Sequence, residues 1–266
     1  VPEEVRPLII AFNEMMARLE ENLQAQQRFI ADAAHQMRTP LTGLRMQTDL
    51  AMMETDPVQV HRSLIHISQS AERAGHLINQ LLSLARAEAS YEKIYAVERV
   101  DLETLLRAML SDFVPRARQK NIDFGLETTG EPLLIDGNPV LLGELVKNLI
   151  DNAIKYTPEG GCVTVRTIAT ERAILEVEDT GIGVPDVDRE RVFERFYRVL
   201  GSTESGSGLG LPIVREIAEL HRAKVSLIPN PSGKGTIAQV VFPRSRAGEE
   251  APTPETRIPA DQFPPA

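Results

Sequence analysis

Apolar side chains recur every three or four residues through the first ninety positions, a pattern typical of long α-helices. They form three successive registers: Leu8, Phe12, Met15, Leu19 and Leu23; Ile30, Ala34, Met37, Leu41, Leu44, Thr48 and Ala51; and Val60, Leu64, Ile67, Ala71, Ala74, Ile78, Leu81 and Ala85. A break is predicted between them, because Asp56 suits a helix N-cap and Pro57 the first helical position. The pattern predicts an antiparallel hairpin that pairs with a second copy into a four-helix bundle. Packing of these helices on the rest of their own chain is the alternative.

From about Val100 the pattern changes to short strand-like runs separated by helical stretches. Strands are predicted over 122–126, 133–135, 162–168, 173–178, 224–228 and 236–242. Helices are predicted over 139–156, 188–196 and 209–221, and over 102–110, the last capped by Asp101 and continuing past Pro115. This mixture predicts an α+β fold whose second part is an α/β sandwich. Residues from Arg244 onward are rich in Pro, Glu and Thr and are predicted to be disordered.

Composition narrows the function classes. The 266 residues carry a net charge of -9, which disfavours a nucleic-acid-binding protein. A single cysteine, Cys162, excludes an internal disulfide and a cysteine-based metal cluster. Apolar runs are far shorter than a membrane span requires, and no signal-peptide pattern is present. Because the chain begins at Val1 in an apparent mid-helix, we expect a fragment of a longer protein, whose missing part includes any membrane anchor.

The first chemical candidate is His35, in the run F-I-A-D-A-A-H-Q-M-R-T-P-L. Pro40 cannot donate a hydrogen bond to the Gln36 carbonyl, so the helix is predicted to bend one turn past the histidine and expose it. An exposed neutral imidazole is a competent nucleophile. The alternative is an ordinary solvated histidine. His61, His66, His76 and His221 lack such a setting and are interpreted as structural.

A second candidate is one face of the helix predicted over 139–156. Asn148, Asn152 and Lys155 are spaced i, i+4, i+7 and share that face. Carboxamide oxygens suit Mg²⁺, and an ammonium suits phosphate. A polar solvent-facing surface is the alternative.

A third candidate follows the strand predicted over 173–178. Asp179, at the strand end, is placed to accept a hydrogen bond from an exocyclic amine such as that of adenine. Gly181 and Gly183 allow the backbone to approach a ligand closely. A turn with a capping Asp is the alternative.

A fourth candidate is the glycine-rich run that opens the helix predicted over 209–221. Gly206, Gly208 and Gly210 leave bare backbone N–H groups there, which favours an anion site. Their spacing differs from that of a Rossmann or Walker loop. The preceding polar run, 201–207, has the composition of a mobile lid.

Taken in order, these blocks resemble a bacterial sensor histidine kinase of a two-component system, from Val1 to Phe242. The matching positions are His35, Arg38, Thr39 and Pro40 (H-box); Asn148, Asn152, Lys155 and Tyr156 (N-box); Asp179, Gly181 and Gly183 (G1); Phe193 and Phe196 (F-box); and Gly206, Gly208 and Gly210 (G2). Residues 1–21 resemble the second helix of a HAMP linker. The H-box wording is most similar to tricarboxylate- and quorum-responsive sensor kinases.

The resemblance implies four segments: the end of a HAMP linker (1–27), a dimerisation and phosphotransfer hairpin (28–90), an ATP-binding domain of the Bergerat fold (98–243) and the tail (244–266). It implies an ATP-dependent protein-histidine kinase with ATP and Mg²⁺ as cofactors. Its partners would be a second copy and a response regulator, with no nucleic acid. The fragment would be cytoplasmic, and the whole protein would be anchored in the inner membrane through the missing N-terminal region.

Residue roles follow from the same resemblance. His35 would accept the phosphoryl group, and Gln36 would orient the His35 imidazole. Thr39 would orient a water for dephosphorylation of the regulator. Asn152 would ligate Mg²⁺ with Asn148 in support. Lys155 would contact phosphate and Tyr156 would pack beside the nucleotide. Asp179 would accept from the adenine amine, with Gly181 and Gly183 shaping that wall. The remaining positions would be Gly206, Gly208 and Gly210 by the phosphates, Phe193 and Phe196 anchoring the lid, and Arg195 or Arg198 near the γ-phosphate.

Two positions depart from the family pattern. The residue after the histidine is commonly an acid that takes the imidazole proton, and here it is Gln36, a very poor base. We expect activity to survive, because a neutral imidazole can release its proton to water. The second departure is the lid, 197–205, which is short.

Three other functions compete. A hydrolytic ATPase of the gyrase or Hsp90 type carries a Glu base one turn before the Mg²⁺ asparagine. This chain has Asn148 at that position, and Glu144 lies a further turn away. A scaffold that binds ATP without transferring phosphate is favoured only by Gln36. A pure coiled-coil interaction protein would not need the N, G1 and G2 boxes. Acid-labile phosphate on His35 would separate the kinase from all three.

Overall fold

The computed structural model describes residues 6–89, 97–199, 204 and 206–244. They fall into two compact units, one ending at Leu81 and the other beginning at Leu82, and each unit is described separately. Among the described residues, no helix is both long enough and apolar enough to cross a bilayer.

The first unit consists of helices α1 (Arg6–Met53) and α2 (Pro57–Ala89, whose end belongs to the second unit). The predicted break between them is confirmed: the Val58 N–H donates to Asp56 Oδ1 (3.1 Å), and the Val60 N–H donates to the Asp56 carbonyl (3.0 Å). Pro40 lies inside α1 without ending it. Within one copy, this unit leaves many large apolar side chains exposed, among them Leu41 and Leu64, each 53% exposed. A single hairpin therefore does not bury its own apolar surface.

The second unit contains helices α3 (Leu102–Leu110), α4 (Val114–Gln119), α5 (Pro139–Tyr156) and α6 (Gly210–Leu220). Its strands are β1 (Glu98–Asp101), β2 (Asp123–Glu127), β3 (Leu134–Gly137), β4 (Cys162–Ala169), β5 (Arg172–Asp179), β6 (Lys224–Pro229) and β7 (Thr236–Pro243). Five of them form a sheet in the order β2-β4-β5-β7-β6, in which only the β2–β4 pair is parallel. Strands β1 and β3 form a small antiparallel sheet.

Helices α5 and α6 pack against each other and cover one face of the large sheet. The strands supply that face by alternation, as in β4, where Val163, Val165 and Thr167 are buried and the residues between them are not. The core is completed by fully buried side chains of the two helices, chiefly Leu145, Val146, Ile150, Ile213, Val214 and Ile217. The α+β class and the α/β sandwich are confirmed.

Three sequence expectations need correction. The helix from 102 does not continue past Pro115: it ends at Leu110, and α4 begins separately at Val114. Proline fits the first turn of a helix but not its interior, so Pro115 starts a new helix instead of extending the old one.

The second correction concerns 188–196, which is not an α-helix. It contains two single 3₁₀ turns, Asp186–Asp188 and Arg191–Phe193. Glu194 is extended and Phe196 has a positive φ of 63°, so the backbone cannot continue as a helix.

Third, β1 was missed, because three of its four residues are charged and give no hydrophobic alternation. The predicted tail lies outside the described residues apart from Arg244, whose guanidinium donates to the Thr170 carbonyl (3.0 Å). Most of the predicted lid, 200–203 and 205, also lies outside them.

Candidate functional site

The H-box histidine lies in the middle of α1. His35 and Thr39 are exposed, whereas Gln36 and Pro40 are half-buried. The imidazole therefore reaches solvent from a rigid helix. All the other candidate residues lie in the second unit.

The polar face of α5 meets the start of α6. The buried Asn148 donates from Nδ2 to the Glu144 carbonyl (2.8 Å), which turns its Oδ1 toward Gly210. A Cβ at Gly210 would lie 3.3 Å from Asn148 Oδ1 and 3.1 Å from Asn152 Nδ2. Only glycine leaves both carboxamides undisturbed at this point. The two asparagines and the G2 segment thus form one surface.

The last turn of α5 carries the cationic group of the site. Lys155 Nζ donates to the Tyr156 hydroxyl (3.2 Å) and lies 4.6 Å from the centre of its ring. A side chain at Gly206 would collide with Lys155 Nζ. The ammonium therefore sits against the bare backbone of the glycine-rich segment, an arrangement suited to anions.

Asp179 ends β5 and is fixed by two backbone donors. Its Oδ1 accepts hydrogen bonds from the N–H groups of Gly181 (2.8 Å) and Thr236 (3.3 Å). Burial raises the pKa of the Asp179 carboxyl above its ordinary value, and these two hydrogen bonds oppose the shift only in part. The second carboxylate oxygen makes neither of these two hydrogen bonds.

Gly181 brings the Asp179 loop against the end of α5. A Cβ at this position would lie 2.6 Å from the Tyr156 carbonyl oxygen and 2.8 Å from Asp179 Oδ1. Gly183 has a φ of 73°, where glycine alone is unstrained, and packs against Gly235. The two glycines thus set the position of the loop between α5 and β7.

The role of Asn230 was missed in the sequence analysis. This buried side chain donates from Nδ2 to Glu178 Oε1 (2.9 Å) and to the Asp179 carbonyl (3.0 Å), and its Oδ1 accepts from the Ser232 N–H (2.9 Å). It ties the β6–β7 turn to the end of β5. In the sequence, Asn-Pro-Ser-Gly reads only as a turn.

The F-box segment is joined to α6 at two points. The Phe196 N–H donates to the Gly208 carbonyl (2.9 Å), and Gly208 (φ 73°) lies so close that a Cβ would be 2.6 Å from the Phe196 carbonyl carbon. The Arg215 guanidinium lies 4.2 Å from the centre of the buried Phe193 ring and donates to Glu190 Oε2 (3.1 Å). Both aromatic residues thus fix this segment beside the start of α6.

His221 is structural, in keeping with its interpretation from the sequence. Its buried ring accepts a hydrogen bond at Nε2 from the Asn138 N–H (3.0 Å) and donates from Nδ1 to the Ile217 carbonyl (2.7 Å). Burial lowers the pKa of the imidazole. The neutral ring therefore links the end of α6 to the N-cap of α5.

The second unit thus places two carboxamides, an ammonium, bare glycine backbone and a half-buried carboxylate around the polar face of α5. Among the described residues there is no cluster of three His, Cys, Asp or Glu side chains able to hold a metal. An ion bound here would rely on asparagine oxygens and on the phosphates of a ligand. This donor set fits Mg²⁺, which binds few protein groups and retains waters.

Two family models match the chain. Residues 25–90 match the His Kinase A (phospho-acceptor) domain, and residues 137–246 match the histidine kinase-, DNA gyrase B-, and HSP90-like ATPase family. Sensor protein QseC of Salmonella typhi is 40% identical over 227 residues, which are 85% of this chain and 50% of that protein. Sensor protein kinase PmrB of Pseudomonas aeruginosa is 38% identical over 256 residues, which are 95% and 53%.

A solved structure has a similar fold. Histidine kinase ThkA, in complex with the response regulator protein TrrA, aligns with a TM-score of 0.70 and 21% identity over 88% of this chain and 66% of that one. The likeness is one of fold alone.

A phospho-acceptor helical domain followed by an ATPase domain of the histidine-kinase type defines a class of signalling protein. The chain belongs to the bacterial sensor histidine kinases of two-component systems. It spans about half the length of the relatives named above.

Proposed function

We propose that this chain is the kinase portion of a sensor protein, which transfers the γ-phosphoryl group of ATP to His35 and then to an aspartate of a response regulator. The observation that carries the proposal is the meeting of Asn148, Asn152 and Gly210 at one surface. The last turn of α5 adds Lys155 to this surface and contacts the loop that follows Asp179. A solvent-facing polar helix would not need a glycine packed against its carboxamides.

The residue roles proposed for the nucleotide follow from this surface. Asn152 binds Mg²⁺ and Asn148 supports it, while Lys155 contacts phosphate and Tyr156 packs beside the nucleotide. Asp179 accepts a hydrogen bond from the adenine amine. The remaining positions are those that shape the backbone: Gly181 and Gly183 by the base, Gly206, Gly208 and Gly210 by the phosphates, and Phe193 and Phe196 beneath the lid.

At His35 the chemistry is a substitution at phosphorus. An unprotonated ring nitrogen attacks the γ-phosphorus, a nitrogen–phosphorus bond forms, the bond to the β,γ-bridging oxygen breaks and ADP leaves. Bound Mg²⁺ supplies neutralisation of the phosphate charge. Gln36 orients the ring but cannot take the proton, so the proton passes to water, which the exposure of His35 allows. In regulator dephosphorylation, Thr39 orients the attacking water.

The partners proposed are a second copy of the chain and a response regulator. Exposed apolar side chains along both helices, including Leu41, Met46, Leu50 and Leu64, support pairing of two hairpins. The regulator docks on the hairpin below His35. ThkA, a protein of similar fold, was solved with a response regulator.

The segment boundaries proposed are 1–27, 28–90, 98–243 and 244–266. In the whole protein, a preceding region carries the sensor and a membrane anchor, because the chain spans about half the length of relatives named as sensor proteins. The matched segment then lies on the cytoplasmic side.

The proposed function is tested by incubating the chain with Mg²⁺ and γ-labelled ATP. The wild type should acquire acid-labile, alkali-stable label, and Gly210→Ala should acquire less at the same ATP concentration, because the added methyl pushes the two asparagine carboxamides aside by a few tenths of an ångström. Gly143→Ala is the matched control: it lies on α5, the helix that carries the two asparagines, but its Cβ would meet only Met109 at 3.5 Å, so labelling should persist. Released inorganic phosphate without labelled protein would overturn the proposal in favour of a hydrolytic ATPase.

A further inference from the structure

Lys120 uses all the donors of its ammonium group on one helix end. Its Nζ donates to the carbonyl oxygens of Ile154 (3.0 Å), Lys155 (2.7 Å) and Thr157 (3.1 Å). The residue lies between α4 and β2, more than thirty positions earlier in the chain, and is half-buried. An ammonium has three donors, so this side chain is fully committed to the end of α5.

The end of α5 needs such a partner. The last carbonyls of a helix have no intrahelical donor, and their partial negative charge favours a cation. Thr157 closes the end from one side, since its N–H and its hydroxyl both donate to the Ala153 carbonyl (3.0 and 2.7 Å). Lys120 closes it from the other, and its own carbonyl accepts from the Gly160 N–H (3.3 Å).

The carbonyls that Lys120 holds belong to the turn that carries the nucleotide groups. Lys155 Nζ lies against Gly206. The Tyr156 carbonyl oxygen lies against Gly181, in the loop that follows Asp179. If this turn frayed, the Lys155 ammonium would move away from the glycine-rich segment. The Tyr156 carbonyl would likewise move away from the Asp179 loop. Lys120 itself has no place in the site.

We propose that Lys120 is a positioning residue for nucleotide binding, which pre-organises the end of α5 so that Lys155 and the Asp179 loop are in register before ATP arrives. The inference rests on the proposed function. Without these three bonds, bound nucleotide must itself order the turn, so affinity falls, while the phosphoryl transfer at saturating ATP proceeds from the same geometry.

The test compares Lys120→Met, which keeps the aliphatic stem and removes the donors, with Lys120→Arg, which keeps a charge and several donors. ADP affinity is measured by calorimetry, and KM and kcat are measured for labelling from ATP. Lys120→Met should raise the Kd for ADP and the KM for ATP roughly tenfold, with kcat within about twofold of the wild type. Lys120→Arg should recover most of the affinity.

Glu103→Gln is the control for a general loss of stability. The buried Glu103 carboxylate accepts from the Thr129 N–H and from the hydroxyls of Thr129 and Thr167. None of these residues belongs to the proposed nucleotide surface, which consists of Asn148, Asn152, Lys155, Asp179 and the G2 glycines. This variant should lower Tm while leaving KM unchanged. Should Lys120→Met not fold, Lys120→Gln, which retains one amide donor group, gives the same comparison.

The outcomes distinguish a failure of the proposed function from a failure of the role proposed for Lys120. If the wild type binds no nucleotide, the proposed function is wrong and the role of Lys120 falls with it. If the wild type binds but Lys120→Met lowers only Tm, or lowers kcat with KM unchanged, then Lys120 is merely structural and the inference is overturned.

Discussion

At the scale of single residues, the proposed nucleotide surface includes side chains whose charged form destabilises the folded state. Asp179 is the clearest, because it is half-buried beside the acidic Glu178 and its Oδ1 accepts from two backbone N–H groups, which offset its desolvation only in part. Its pKa is raised, so the folded state binds a proton more readily than the unfolded state does. Ionised Asp179 therefore opposes folding at neutral pH, a cost to stability that its proposed role at the nucleotide explains.

Asp179→Asn should separate binding from stability. The amide is isosteric and its oxygen still accepts from Gly181 and Thr236, but it removes the buried charge. Because the raised pKa means that stability falls as pH rises through it, the variant should gain Tm at pH 7 and gain nothing at a pH below the carboxyl pKa.

The same variant should bind ADP about tenfold more weakly or worse at pH 7, since the acceptor facing the adenine amine is lost. Thermal melts at two pH values and ADP titrations of both proteins check these results. Unchanged ADP affinity would remove Asp179 from the nucleotide site.

At the scale of elements, the site is built where helix ends meet loops. Helix α5 is capped at its start by Asn138, whose Oδ1 accepts from the N–H groups of Val140 and Leu141 (3.0 Å each), and at its end by Lys120. His221 joins that start to the end of α6, so the two helices are tied together at these ends.

This joint predicts a pH dependence of stability. Burial lowers the pKa of His221 below that of an unfolded histidine, so stability is present above pH about 6.5 and is lost as pH falls below it. His221→Gln keeps a donor and an acceptor but does not titrate. Its Tm should be lower than the wild-type Tm at pH 7.5, and it should decline less between pH 7 and pH 5.5 in thermal melts. Parallel declines in the two proteins would show that another group is responsible.

What the sequence could predict at this scale was set by periodicity and by caps. Strands β4 to β7 and helix α5 were predicted within one residue of their bounds, because alternating burial and the Asn138-Pro139 start are local signals. The helix predicted over 188–196 was wrong, because the turns of this segment are held by contacts with α6, which hydrophobic periodicity cannot show. Asn230 and Lys120 went unnoticed for the same reason, since each acts across a long sequence separation.

At the scale of the whole molecule, the two units divide the chemistry: one carries His35 and the other the nucleotide surface. The hairpin leaves apolar side chains exposed on both helices, whereas the second unit buries most of its large apolar side chains. This difference supports a chain whose first unit is completed by a second copy and whose second unit folds by itself.

Dimerisation can therefore be removed without removing nucleotide binding. Leu64→Glu places a charge at a half-exposed position of α2 and should convert the chain from dimer to monomer in light scattering, with ADP affinity within about twofold of the wild type. Val187→Glu, at an 80% exposed position of the second unit, is the control and should remain dimeric. A wild-type chain that is monomeric at micromolar concentration would contradict the proposed bundle.

Transfer of the phosphoryl group from ATP to His35 is tested by mass spectrometry of the labelled chain, digested at neutral to alkaline pH. The phosphoryl group should map to the peptide that contains His35 and be absent from His35→Ala. A phosphoryl group on a serine or threonine, on His61 or His66, or retained in His35→Ala would contradict transfer to His35.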